Sequence, residues 1–398
     1  IRVSVKTVKT TRSQSVMCKT MKSLFVMFVF EFIVFFANGN FVSCCSAASA
    51  VVSNRIEGMP AIALQDERHK ESESNLKNRT ARNDEKYSAS VPACKSVKIT
   101  AVGDCTIGWD DRFLRGNRFD VYLERADGDY GYYLAKVRDI FREGDFTIAN
   151  LEGTFTSHTE KVEKTFNFSA PEAYKNVLMW GCVDAVSLGN NHTYDFGYIG
   201  YQDTVRALDS IGISYFGHDR YLVKEVRGVK IGLFSLLDYD CKHYHEIDKA
   251  LACLKEQKCD LIIAAMHWGI EHTYVQTWEQ IAMGRYLIDN GADMVLGSHP
   301  HVLQGIEKYK GKYILYSMGN FCFGGNTDPD DKDTVIFQQT FTFVNGELLT
   351  DDNIKIIPAS VSGVDWCNNY QPVALEGADK ERVMRKIMRY SSGFSYRE

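Results

Sequence analysis

Four stretches of the chain share one plan: an Asp, a run of mostly apolar residues, then a residue of metal-ligand type six or seven positions later. They run from Asp145 to Glu152, Asp184 to Asn191, Asp260 to His267 and Asp293 to His299, and a fifth run, Lys98 to Asp104, lacks the leading Asp but also ends in a carboxylate. With His301 two residues past His299, the donors are two carboxylates (Asp104, Glu152), one amide carbonyl (Asn191) and three imidazoles (His267, His299, His301). An oxygen and nitrogen set without thiolate suits Mn, Fe or Zn better than Ca or Mg. Six such groups suffice for one or two divalent ions, the second if one carboxylate bridges. Two ions ~3.5–4 Å apart clamp a phosphoryl group and activate a water. His192, next to Asn191, is the candidate general acid for a leaving group.

Short, nearly continuous apolar runs read as buried parallel strands. Functional groups in such sheets sit beyond the carboxyl ends of the strands, where these ligand types fall. Helical patterns at Ala173 to Met179, Tyr198 to Ile211, Ile247 to Gln257 and Trp278 to Asn290 separate the runs, which predicts βαβ units. Gly212 and Gly291 stand where helix C-caps belong. Gly103, Gly189 and Gly297 are expected to allow tight turns before the ligands. His299-Pro300-His301 is expected to be extended, with both imidazoles on one side. The later runs Lys312 to Ser317, Val335 to Phe343 and Ile354 to Ala359 have few helices between them, which predicts a second, more antiparallel sheet. Asn345-Gly346 reads as a hairpin turn, and Leu375 to Tyr390 as a final helix.

The chain has 398 residues and a formal charge of −5, with 46 Lys and Arg against 51 Asp and Glu, a balance that offers nucleic acid no footprint. Residues 1–50 read as upstream sequence followed by a signal peptide or anchor. Met21 and Lys22 precede an apolar run from Leu24 to Phe36, shorter than the ~20 residues that span a bilayer, and small residues follow at 46–50. Residues 51–96 are polar and charge-mixed, as in a flexible linker. The domain is expected over 97–392. The 11 cysteines contain no C-x-x-C pair, so neither a zinc ribbon nor a redox motif is indicated. Cys105, Cys182 and Cys322 lie in or beside apolar runs and read as buried free thiols.

Six motifs follow one another along the chain: Gly103-Asp104; Asn150-Leu151-Glu152-Gly153-Thr154; Gly189-Asn190-Asn191-His192 with Asp195-Phe196-Gly197; His267-Trp268-Gly269 with Glu271; Gly297-Ser298-His299-Pro300-His301; and Ser317-Met318-Gly319-Asn320-Phe321. In this order they resemble the poly-γ-glutamate capsule biosynthesis proteins of the CapA type, a branch of the calcineurin-like metallophosphoesterase superfamily, over about residues 97–392. The resemblance implies a four-layer α/β/β/α sandwich of the metallo-dependent phosphatase fold. It places Asp104 as the first-strand ligand and Glu152 where the superfamily has a bridging Asp. Asn191 and His192 match the Asn ligand and catalytic His, and His267, His299 and His301 the later ligands. One departure stands out: the superfamily's Asp-x-His is Asp104-Cys105-Thr106 here, so one metal position lacks an imidazole.

Asn150, Lys164, Asp195, Glu271 and Asn320 are expected to bind substrate or support the ligands; Lys164 would hold an anionic group, and Glu271 would take a proton or hold a ligand histidine. The implied setting is export, either extracellular or anchored on the cell-envelope side. The implied partners are an anionic polymer such as poly-γ-glutamate and, as candidates, membrane synthase subunits. The implied chemistry is metal-assisted attack on a phosphoryl or acyl centre. Two other readings stay open: a metal-dependent phosphatase or phosphodiesterase on envelope substrates, and a non-enzymatic polymer-binding module with a vestigial site.

Overall fold

A computed structural model describes residues 94–349 and 353–393. The expected leader, and the expected linker up to residue 93, lie outside the described residues. Among the described residues no helix is long and apolar enough to cross a membrane.

The strands in chain order begin with β1 (Cys94–Cys105), β2 (Phe146–Leu151), β3 (Thr154–Phe155), β4 (Ser169–Ala170), β5 (Ala185–Ser187) and β6 (Ser214–Phe216). Then come β7 (Leu222–Val226), β8 (Val229–Leu237), β9 (Leu261–His267), β10 (Met294–Ser298), β11 (Ile306–Tyr309) and β12 (Lys312–Leu315). The last are β13 (Asp333–Val344), β14 (Glu347–Leu348), β15 (Ile354–Ser360) and β16 (Val373–Ala374). The first sheet runs β16-β15-β13-β1-β2-β5-β6, with β14 paired to β13; the second runs β11-β12-β10-β9-β8-β7. Each has a parallel centre: β1-β2-β5-β6 in one, β12-β10-β9-β8 in the other. The late strands do not build a separate antiparallel sheet. Lys312–Leu315 joins the second sheet parallel to β10, and β13 and β15 extend the first sheet antiparallel from β1.

Side chains alternate across each strand, and this sorts the core into three layers. Ile99, Ile148 and Ala185 of the first sheet face Ile231, Ile263 and Met294 of the second in one apolar layer. On the outer side of the first sheet, Val102, Ala149 and Val186 pack with Val177, Leu178, Ala207 and Leu208 of the helices Lys175–Trp180 and Gly197–Ser210. On the outer side of the second, Ile262, Ala264 and Val295 pack with Leu251, Leu254, Met283 and Leu287 of the helices Tyr244–Glu256 and Trp278–Asp289. The result is a four-layer α/β/β/α sandwich. The last helix, Gly377–Ser391, is set differently: its Val383 and Ile387 join the layer between the sheets. Thr277 starts the Trp278–Asp289 helix with a capping box, exchanging hydrogen bonds with Gln280. Gly212 and Gly291 end their helices with φ of 73° and 109°.

The four leading Asp residues have a structural use, at the end of the sheets away from the ligands. Each accepts, through Oδ2, the backbone N–H of a residue at the start of the neighbouring parallel strand. Asp145 takes Lys98 at 2.9 Å, and Asp184 takes Thr147, Asp260 takes Lys230 and Asp293 takes Ile262, each at 2.8 Å. In each case the Asp N–H donates back to the carbonyl of the same residue. These paired bonds fasten β2 to β1, β5 to β2, β9 to β8 and β10 to β9.

The glycines before the ligands do not make turns of positive φ; none of Gly103, Gly189 and Gly297 has one. They permit close backbone approach. A Cβ on Gly103 would stand 1.9 Å from the Gly319 carbonyl oxygen, and one on Gly297 would stand 2.1 Å from that of Tyr316. The eight cysteines among the described residues are all free. Cys105 and Cys322 are buried as expected, while Cys182 is half-buried.

Asp293 also holds Lys312 Nζ at 2.9 Å, so one carboxylate ties β10 to β9 and to the start of β12. Replacing Asp293 by Ala is expected to cost about 2 kcal/mol, the range for hydrogen bonds to a charged group. Asp293→Asn keeps an acceptor for Ile262 and is expected to recover about half of that. Chemical denaturation of the three proteins measures this, and an Asn variant no better than Ala would refute the pinning role.

Candidate metal centre

The carboxyl ends of β1, β2, β9 and β10 and the loop after β5 deliver the six expected donors. Asp104 stands at the end of β1, where its N–H donates to the Gly319 carbonyl at 3.0 Å and its carbonyl accepts the Phe321 N–H at 2.8 Å. Glu152 follows β2 directly, and His267 is the last residue of β9. His299 and His301 follow β10 on a loop that departs from the extended form expected: His299 has φ 95° and His301 φ 58°. Their rings still lie 5.9 Å apart. Such backbone is sparsely populated away from glycine and is found where structure holds it for function.

The donors converge. His267 Nε2 lies 3.6 Å from Glu152 Oε1, His301 Nε2 lies 3.9 Å from the same oxygen, and His301 Nδ1 lies 3.3 Å from Asp104 Oδ2. Ligand atoms of Asp104, Glu152 and His301 all fall within 4.8 Å of one another. Five buried polar atoms here have no hydrogen-bond partner: Oε1 and Oε2 of Glu152, Oδ1 of Asn191, Nε2 of His267 and Nδ1 of His299. An unsatisfied buried polar group costs roughly 1–3 kcal/mol, so five together point to a ligand that satisfies them. All five are lone-pair donors to a cation, so the residues fit a divalent metal.

Surrounding groups set the orientation of these donors. Asn150 donates to Asp104 Oδ1 at 2.8 Å and accepts from Asn190 at 3.1 Å. Asn320 meets His301 Nδ1 at 2.8 Å through its Oδ1, which leaves Nε2 as that ring's ligand atom. Ser298 Oγ does the same for His267 Nδ1 at 3.0 Å and passes its own proton toward the Met266 carbonyl. Burial pushes His267 well below the ordinary imidazole range, helped by His299 and His301. Burial, helped by His301, likewise lowers His299, to about 4. Both rings are therefore neutral and able to ligate. Glu152 is pushed up by burial, against the pull of His301. Burial would lower His301, but Glu152 and Asp104 outweigh it and hold its proton tightly.

His192 belongs to a neighbouring group. Its Nδ1 meets Asp195 Oδ2 at 2.8 Å, and Phe168 covers its ring at 4.4 Å between centroids. Asp195 also accepts the Phe168 N–H at 2.6 Å and Lys164 Nζ at 2.6 Å. Lys164 further donates to the Asn191 carbonyl at 2.9 Å. Lys164 is thus engaged in bracing the Asn191–His192 turn, not free to meet an anion. Burial lowers the His192 pKa, with Asp195 opposing. His192, His301, Asn320, Glu271, Phe168 and Phe323 line part of a cavity of about 400 Å³.

The structure thus brings together five of the six expected ligands, Asp104, Glu152, His267, His299 and His301, with Asn191 and His192 on the loop after β5, and sets Asn150, Asp195, Lys164 and Asn320 around them. Glu271 lies on the cavity wall near His299 and His301 but makes no hydrogen bond to a ligand histidine, so the support expected of it takes another form. Ser298, Asn190 and Phe168 were not anticipated as site residues. Ser298 and Asn190 sit inside the motifs, but only the folded loops show which neighbour each one fixes. Trp268, next to His267, is fully buried, with its indole N–H on the Tyr316 carbonyl.

A two-sheet sandwich with these ligands at its strand ends defines a protein of the calcineurin-like metallophosphoesterase class. Residues 98–325 match the family described as bacterial capsule synthesis protein PGA_cap, and the chain belongs to that family. It is 24% identical over 326 residues to the capsule biosynthesis protein CapA of Bacillus anthracis, covering 75% of this chain and 74% of that one. It is 29% identical over 221 residues to the PGA biosynthesis protein CapA of Bacillus subtilis strain 168, covering 50% and 57%. A probable polyglutamine synthesis accessory protein of Mycobacterium tuberculosis H37Rv is 29% identical over 213 residues, covering 44% and 55%.

Burial raises Glu152, and against burial the neighbouring carboxylates raise His301, so a divalent ion bound there would have to displace protons. Affinity for Mn²⁺ is expected to rise with pH across the neutral range, with net proton release. Calorimetric titrations in buffers of differing ionisation enthalpy measure the release; a pH-independent affinity would contradict this reading. Glu152→Gln mimics the protonated carboxyl and is expected to leave the chelated protein no less stable, while lowering metal affinity at least about 10-fold.

Proposed function

We propose that the protein is an exported accessory factor of capsule or poly-γ-glutamate biosynthesis that works through a metal-dependent phosphoesterase-like site. The observation that carries the chemical half is that Glu152, His267 and His299 lie together with buried donor atoms that have no hydrogen-bond partner, as has Oδ1 of Asn191 on the loop after β5. The biological half rests on the family and on the capsule and PGA biosynthesis roles that the Bacillus relatives are named for. Export and placement on the cell-envelope side rest on the apolar run near the start of the sequence.

Asp104, Glu152, Asn191, His267, His299 and His301 hold one or two divalent ions, with Mn, Fe or Zn suiting the donors best. Bound there, such an ion polarises a phosphoryl oxygen and makes water a stronger acid. The protein's own groups do the rest. His192, held through Nδ1 by Asp195, keeps Nε2 for the leaving-group oxygen and delivers a proton to it. Phe168 and Phe323 exclude water from one side of the cavity. Among the described residues the cavity wall carries the carboxylates of Glu271, Asp330 and Asp331 and no Lys or Arg, so the attraction for an anionic substrate must come from the metal.

With Mn²⁺ supplied, the purified chain is expected to hydrolyse a generic phosphodiester. His192→Ala is expected to lower kcat by about 10²–10⁴-fold, the contribution of a positioned general acid. Because the acid form is required, kcat should decline as pH rises through a value below the ordinary imidazole range. Stoichiometric metal without turnover on any phosphoester would leave the polymer-binding module as the better reading, which the missing imidazole after Asp104 favours.

A further inference from the structure

Glu271 lies outside the six-ligand set, yet its carboxylate and one ring nitrogen each of His299 and His301 lie within 4.8 Å of one another. The group of Asp104, Glu152 and His301 meets the same limit, so the two groups share His301. That corner is a donor short. Thr106, two residues after Asp104, is fully buried and its hydroxyl has no partner. Three protein donors are fewer than a closed tetrahedral site needs, and fewer still than an octahedral one.

Nearby polar side chains are already engaged. Asn320 holds His301, Asn150 holds Asp104, and Asp195 holds His192, Lys164 and the Phe168 N–H. The Glu271 carboxylate has no hydrogen bond or ion pair among the described residues; only its backbone carbonyl is used, by Thr273. His299 is 5% exposed, and its buried Nδ1 has no partner.

An exposed acid near histidines is common by chance, and here the backbone argues against chance. Gly269, with φ 80°, turns the chain after β9. The His272 N–H, one residue past Glu271, then donates to the Pro300 carbonyl at 2.8 Å. Pro300 stands between the two histidines, so one bond joins the Glu271 loop to the loop of left-handed backbone that presents both rings.

We propose that Glu271 is a metal ligand, binding a divalent cation with His299 and His301 at the mouth of the site and supplying a donor that the run after Asp104 lacks. This rests on the metal-dependent reading above. It also sets the charge: three carboxylates, Asp104, Glu152 and Glu271, against two divalent ions leave a net single positive charge for an anionic substrate.

The full chain, stripped with chelator, is titrated with Mn²⁺ by calorimetry and with Co²⁺ by visible absorption, beside Glu271→Gln and Glu271→His. Wild type is expected to take two ions. Glu271→Gln should lose one, or bind it at least about 10-fold more weakly, with a weaker Co²⁺ band and an unchanged melting temperature in chelator. Glu271→His should restore the second ion. Unchanged stoichiometry and affinity in Glu271→Gln would overturn the assignment while leaving the metal reading intact. A wild-type chain that takes up no metal would overturn both.

Discussion

Everything at the site depends on the register of parallel strands. Donors from five segments can come together only if β1, β2, β5, β9 and β10 end at matching heights. A parallel pair has no hairpin to set its register, because its strands are joined by long crossovers. This chain sets it at the opposite end. Asp145, Asp184, Asp260 and Asp293 each lock the first turn of backbone hydrogen bonds to the strand before them. A one-residue slip would also turn each apolar face outward, so the pins and the alternating core enforce the same alignment. The same strands that bury Ile99, Ile148 and Ile263 between the sheets therefore carry Asp104, Glu152 and His267 to one place.

The site inverts the usual economy of a core. Glu152 and Asp104 are fully buried, and His267 is almost so. A folded protein normally neutralises such groups by pairing or by shifting protons. Here pairing is incomplete: Asp104 is satisfied by Asn150 and the His299 N–H, while Ser298 satisfies one atom of His267, and both oxygens of Glu152 and Nε2 of His267 are left without a partner. The left-handed backbone at His299 and His301 adds to the cost. Stability lost at this end is supplied by three apolar layers and the strand pins, which are remote from it. The close approach of β1 to Gly319 and of β10 to Tyr316 keeps the donors from spreading.

Much of this was legible in the sequence, for physical reasons. Period-two burial and apolar runs mark strands whatever the tertiary context, so the strand ends, and with them Asp104, Glu152, His267 and His299, could be located. The repeated leading Asp was equally visible, but its purpose was not, because a hydrogen bond to a neighbouring strand has no local signature. The same holds for Gly103 and Gly297, which read as turn residues and prove to be points of backbone contact with partners over fifteen positions away. The late strands were recognised and assigned to the wrong neighbour: nothing in Val335 to Phe343 reveals that it pairs with β1 and not with a sheet of its own. Lys164 looked like a free cation because its two acceptors, Asn191 and Asp195, come from a turn about thirty residues on.

The absent imidazole after Asp104 has a consequence for how charge is handled. In the metal-free protein His301 is the cation of that corner, held between Asp104 and Glu152 with Asn320 behind it. A proton is a monodentate neutraliser that leaves both oxygens of Glu152 and the nearby His267 Nε2 without hydrogen bonds. A divalent ion held there would satisfy all of them at once, and His301 would then serve as a neutral ligand. A second imidazole at position 106 would have added a neutral donor without changing this charge balance. A carboxylate would change it, lowering the net charge offered to an anionic substrate and favouring the harder cations.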